Sequence, residues 1–129
     1  MRTLKNVVGV LVLSMLFSCN NQNTPAINTD YTNTKNLVGT TWRCSDFSKT
    51  KNPSFYSNMN NLEFRFISTT TLELWRHEKA GEMRNENGTP SYSIVGNKIT
   101  ILSTNGIIDG NKLSYTFAES SDVLVLVKQ

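Results

Sequence analysis

Apolar and polar residues alternate with a period of two through most of the chain after residue 60. Leu62, Phe64 and Phe66 share one parity while Glu63 and Arg65 share the other, the pattern of a strand with one face buried and one in water. Leu72 and Leu74 repeat it against Thr71 and Glu73, followed by Tyr92 with Ile94, Ile99 with Ile101, and Leu113 with Tyr115 and Phe117. Residues 123–127 are apolar on both parities and read as a buried or closing strand. Upstream, Trp42 and Cys44 are two apart and would point to one face of a first strand.

The joints between these segments look like hairpins. Gly96-Asn97 suits a tight turn that needs positive φ, and Asn105-Gly106 and Asp109-Gly110 carry similar signals. The last two lie so close together that residues 104–111 read either as a very short strand between turns or as one irregular loop. Ser68-Thr69 and Ser120-Ser121 are weaker joints, and residues 78–85 have room for a helical turn. The pattern predicts an all-β domain of about seven or eight antiparallel strands. Consecutive hairpins favour an up-and-down β-barrel, because closure removes exposed edges. A small β-sandwich is the alternative, and it would require strands to cross between sheets.

The start of the chain follows different rules. Arg2 and Lys5 precede an apolar run over residues 7–17, which is short of the ~20 residues a helical membrane crossing needs. A basic start, an apolar run and the small residue Ser18 are the parts of a secretory leader. Leu16-Phe17-Ser18-Cys19 resembles the lipobox of bacterial lipoprotein signal peptides. That resemblance implies cleavage before Cys19, lipid on its thiol, and anchorage in a membrane of the cell envelope. Residues 20–35 are polar and aperiodic. The expected organisation is therefore a signal peptide over 1–18, a flexible tether over 19–35 and a β-barrel domain over 36–129.

Removing the leader also removes two cations and no acid, so the 13 Lys+Arg and 10 Asp+Glu of the whole chain become nearly balanced. A near-neutral domain has no electrostatic reason to bind nucleic acid. With Cys19 lipidated, Cys44 has no intramolecular disulfide partner and reads as a buried core thiol.

Little in the chain points to catalysis. The one histidine, His77, lies at the end of a strand candidate with Glu73 and Glu78 nearby. Glu73 and His77 would sit about 13 Å apart along a strand, too far to chelate one metal without a bend. No Gly-x-Ser-x-Gly turn, Gly-rich phosphate cradle or Cys-x-x-Cys pair occurs. The expectation is a non-enzymatic protein with no cofactor and no metal site.

The aromatic residues are the best candidates for function. Trp42, Phe64, Phe66, Tyr92, Tyr115 and Phe117 can share one interior, either filling the barrel or lining a small apolar pocket with tyrosine hydroxyls as anchors. The loops over 48–61 and 78–90 are long enough to form a recognition surface or to fold over a barrel end. Phe55, Tyr56 and Met59 lie in the first, and Trp75 points away from Leu72 and Leu74. Phe55, Tyr56 and Trp75 are therefore candidates for binding a partner protein.

Leu37-Val38-Gly39-Thr40-Thr41-Trp42 introduces the first strand, and residues 122–128 form an apolar closing strand. Together with the lipobox they resemble the small bacterial lipocalin-like lipoproteins. Lipocalins carry Gly-x-Trp on the first strand and an Arg near the last; this chain has Gly39-x-x-Trp42 and Lys128. The resemblance implies a barrel that binds a small apolar ligand. The alternative is an envelope protein-interaction or inhibitor module with a filled core. Asn20 and Asn21 after Cys19 lack the acidic character of a surface-export tag, so attachment to the outer membrane facing the periplasm is expected.

Overall fold

Nine antiparallel strands follow one another around a single curled sheet in the computed structural model, which describes residues 29–129. They are β1 (Thr41–Cys44), β2 (Met59–Phe66), β3 (Leu72–Glu78), β4 (Met83–Asn85), β5 (Tyr92–Val95), β6 (Lys98–Ile101), β7 (Thr104–Asp109), β8 (Lys112–Phe117) and β9 (Asp122–Lys128). Each strand pairs with the next except β4 with β5, and β9 returns to pair with β1. This is the strand order of an up-and-down barrel with one seam. Across the seam lie an isolated bridge between Thr71 and Ser91 and hydrogen bonds from Leu72 N–H to Pro90 O (3.1 Å) and Tyr92 N–H to Thr70 O (2.8 Å). No strand crosses between two sheets, so the sandwich alternative is not adopted.

Nine strands exceed the seven or eight expected. Residues 83–85 pair with Trp75–His77 as a short edge strand, where a helical turn was the expectation. Residues 104–109 form a full strand, with Asn105-Gly106 in its interior. The glycine is there for packing. A Cβ on Gly106 would stand 2.8 Å from the Ser114 carbonyl oxygen and 3.2 Å from Ile99 Cγ2. The hairpin joining β6 to β7 is made instead by Leu102 and Ser103, both at positive φ.

The inward parity of every strand except the exposed edge strand β4 supplies the core. Trp42, Leu62, Phe64, Phe66, Leu72, Ile99, Leu113, Leu124 and Leu126 are buried, and Cys44 joins them as a buried thiol whose pKa burial pushes up. Residues 123–127 depart from the fully buried reading: Leu124 and Leu126 face inward, while Val123, Val125 and Val127 are 60, 46 and 37% exposed. The strand is apolar on both faces, and only one is covered.

The packed body also starts earlier than residue 36. Asn33 caps a short helix, α1 (Thr34–Leu37), by accepting from Lys35 N–H, and Leu37 is fully buried beneath it. Tyr31 packs edge-on against Trp42, with centroids 5.3 Å apart. The end of the expected tether is therefore part of the domain, because it supplies the aromatic ring that covers Trp42. The expected leader, Cys19 and residues 20–28 lie outside the described residues. No helix among those described is long and apolar enough to cross a membrane.

Candidate functional site

Five of the six expected ligand-binding residues lie in the packed centre. Trp42, Phe64 and Phe66 have no more than 1% of their surface exposed, and Tyr115 and Tyr92 have 3 and 5%. Phe64 meets Tyr115 edge to face at 5.0 Å, Phe66 meets Tyr92 at 5.0 Å, and Trp42 meets Phe66 at 6.5 Å, within the range favoured by aromatic quadrupoles. Their polar tips are already partnered. Trp42 Nε1–H donates to Thr40 Oγ1 (2.9 Å), Tyr92 Oη–H to Ser68 O (2.9 Å) and Tyr115 Oη–H to Ile101 O (3.2 Å). Burial pushes both tyrosine pKa values up, so these hydroxyls stay neutral donors.

Phe117, the sixth, sits at one mouth of the barrel and is half-buried. Beside it opens a cavity of about 70 Å³. Leu62 from β2, Leu74 from β3 and Tyr115 from β8 are its buried lining residues, with Phe117, Thr104 and the 48%-exposed Leu102 also lining it. Glu86, Asn87, Ala118 and Glu119 complete the lining. The cavity is thus apolar at depth, its charged members are both acids, and it lies where β3 and β4 separate from β7 and β8.

The loop after β1 closes the neighbouring part of this mouth. Its 3-10 turn (Pro53–Tyr56) places Phe55 6.2 Å from Phe117, and Tyr56 stacks on Phe47 at 4.8 Å. Tyr56 is buried and Phe55 is 39% exposed, so the expected partner-binding pair divides between a structural plug and a surface ring. Asp122 anchors the loop from below. Its Oδ1 accepts from Lys51 N–H (2.6 Å) and its Oδ2 from Tyr56 Oη–H (3.2 Å). Burial opposes ionisation of Asp122, but the hydrogen bonds from Lys51, Ser120 and Tyr56 outweigh it and leave its pKa below the usual value. The loop is a lid held by a buried carboxylate.

Trp75 lies on the outer face and is half-buried. Its Nε1–H donates to Glu73 Oε2 (2.7 Å), and the Arg65 guanidinium covers its ring at 4.9 Å. It belongs to a charged network centred on Glu63, which is 2% exposed. Arg43 and Arg65 reach opposite oxygens of that carboxylate at 2.6 and 2.8 Å. His77 Nε2 stands 3.4 Å from Oε2, outside hydrogen-bonding alignment. Burial raises the Glu63 pKa, yet its hydrogen bonds to Arg65 and Arg43 and the neighbouring charges hold it below the ordinary value. His77 lies within β3, opposite Asn61 and Met83. Among the described residues no three His, Cys, Asp or Glu side chains come together to hold a metal ion.

The wider grooves are shallower in chemistry. One of about 670 Å³ runs past Arg76, Glu78, Glu82 and Arg84, where Arg76 pairs with Glu78 (2.7 Å) and Arg84 with Glu82 (3.4 Å). These pairs neutralise one another, and Lys79 leaves the groove with one cation in excess. Sequence reasoning missed the burial of Glu63 and the mouth residues Leu102, Glu86 and Glu119. Cross-strand register creates the first, and an unexpected hairpin creates much of the second. No known protein family, no characterised protein and no solved structure matches the chain.

Proposed function

We propose that this chain is a lipid-anchored protein of the cell envelope whose barrel is a non-catalytic protein-binding module. In this reading the mouth beside Phe117 receives one apolar side chain of a partner protein. The observation that carries it is the contrast between a filled centre and a small mouth. Pockets for drug-sized ligands enclose ~300–1,000 Å³, whereas the cavity at Tyr115 and Phe117 holds about 70 Å³. At ~30 Å³ of liquid volume per water, that matches the end of an aliphatic side chain and not a lipid tail. Exposed Phe55 and Leu102 flank the opening, so an inserted anchor would be ringed by apolar surface, the usual surroundings of an interface hot spot. Glu86 and Glu119 favour a cationic residue next to that anchor. A carrier of small apolar ligands would have to displace Phe64, Phe66 and Tyr115 from contacts that leave them almost wholly buried.

The test uses the full chain in cell membranes, with a photo-crosslinking amino acid placed at Leu102, at Phe55, and at the remote Val95 as control. A distinct adduct at Leu102 and Phe55, absent at Val95, is expected. Equal labelling at all three positions would sink the reading. Saturable quenching of tryptophan fluorescence by a fatty acid would transfer the function to the interior. Anchorage is checked separately: Cys19→Ala should abolish incorporation of labelled palmitate and leave the uncut precursor.

A further inference from the structure

We propose that the outer face of β7, β8 and β9 is a self-association surface that takes a second copy of this chain. Val123, Val125 and Val127 form an exposed apolar ridge along β9, and Ile107 on β7 is 44% exposed on the same face. Between them lie Ser114 and Thr116, the cross-strand partners of Val125 and Val123, with the exposed Lys112 opposite Val127 at one end of the face. Scattered apolar residues on a surface need no explanation, but a contiguous β-branched patch on a water-facing sheet does.

Two features point to a second copy. The first is shape. A groove of about 300 Å³ lined by Ile107, Ser114, Thr116 and Val123 runs along one flank of the ridge. A face that carries a ridge beside a groove is self-complementary under a two-fold axis, since each ridge enters the other copy's groove. The second is charge. Lys98 lines the groove on the β7 flank, while Asp46 lines a separate groove with Val125 and Val127 on the β1 flank. A two-fold axis parallel to the strands exchanges the flanks and brings each Lys98 toward the partner's Asp46. Arg43, the cation on the Asp46 flank, is already held by Glu63 at 2.6 Å.

The size of the face sets the strength. Three strands at ~4.8 Å spacing, with about six residues per strand at ~3.4 Å, make a face of roughly 14 by 20 Å. Two copies would cover roughly 600 Å², below the ~1,000 Å² of a stable specific interface and in the range of weak, transient contacts. The dimer is therefore weak and forms where the chain is concentrated, as on a membrane.

The test is disulfide trapping of the full chain in cell membranes, which needs no excised domain. Val125→Cys should give, on mild oxidation, a covalent dimer at least fivefold above both the parent and Met83→Cys. Met83 is 49% exposed and lies on β4, away from this face. Co-expressing short- and long-tagged copies should give a mixed band of intermediate size. Adding Lys98→Glu should cut the yield severalfold by opposing two acids, and adding Asp46→Asn should restore much of it. That last change keeps the oxygen that accepts from Ser48 N–H and Ser48 Oγ–H. Equal trapping at Met83, no dimer at Val125, or an adduct only with a protein of another size would each overturn the proposal.

Discussion

The ring of Tyr31 stands at 87° to Trp42 with 5.3 Å between centroids, and Lys128 Nζ covers Tyr31 from the last strand at 5.8 Å. The cation that resemblance to lipocalins would set near the first-strand tryptophan therefore reaches a tyrosine that intervenes. Trp42 and Lys128 are register partners across β1 and β9, so the three side chains tie the N-terminal segment to the strand pair that joins the two halves of the sheet.

Tyr31→Ala should destabilise the protein by about 1–2 kcal/mol, from a lost aromatic pair and a half-buried ring. Trp42→Ala should cost about 3–5 kcal/mol, as for other large buried aromatics. Urea melts would rank them. A Tyr31→Ala midpoint equal to the parent's would return residue 31 to the tether.

Glu63 makes the fold sensitive to acid. Its folded pKa lies below the ordinary 4.5, so the folded state binds fewer protons than the unfolded one between those values. Its contribution is complete above about pH 4.5 and fades as pH falls through the folded pKa. Asp122, lowered from 3.8, acts in the same direction. Unfolding midpoints measured from pH 6 to pH 3 should fall through this window, and Glu63→Gln should flatten the fall. At pH 7 that substitution should cost about 1–2 kcal/mol, below the full value for a buried pair because Arg43 and Arg65 remain partly in water. An unchanged acid limb would remove Glu63 from the explanation.

Much of the sheet was legible in the sequence because one covered face forces strict alternation. The strands carrying Phe64, Leu74, Ile99 and Tyr115 announced themselves, and the turn at Gly96-Asn97 formed where its chemistry required. What escaped depends on contacts remote in sequence. Asn105-Gly106 looks like a turn in isolation, but a passing carbonyl from β8 excludes a Cβ there. Val125 looks buried because its whole strand is apolar, and only the assembled sheet reveals its outer face. Tyr31 lies in polar surroundings with no period to mark it. The aromatic interior was legible as residues, whereas its being filled depends on packing.

Gly106→Ala tests the packing account directly. The added methyl would stand 2.8 Å from Ser114 O and 3.1 Å from Leu113 Cδ1. The carbonyl belongs to the neighbouring strand and cannot swing aside as a flexible side chain would. A loss of about 1–3 kcal/mol is expected, typical of overpacking. Thermal melts showing no loss would mean that β7 and β8 separate more easily than their register implies.

Leu102 carries the sharpest opposition between stability and function. Its φ of 51° and that of Ser103, 65°, make a two-residue hairpin of the kind that favours Asn-Gly. A leucine in the left-handed region costs roughly 1–2 kcal/mol, and its side chain is left 48% exposed beside the mouth cavity. Strain held at an exposed apolar residue is a feature of binding sites. Leu102→Asn with Ser103→Gly should therefore stabilise the fold by about 1 kcal/mol, raising Tm by roughly 4–8 °C for a domain of this size. The same change should weaken crosslinking from Phe55 to the partner, because it removes an apolar wall of the opening. A variant that is more stable and still binds in full would show that Leu102 serves neither the fold nor the site.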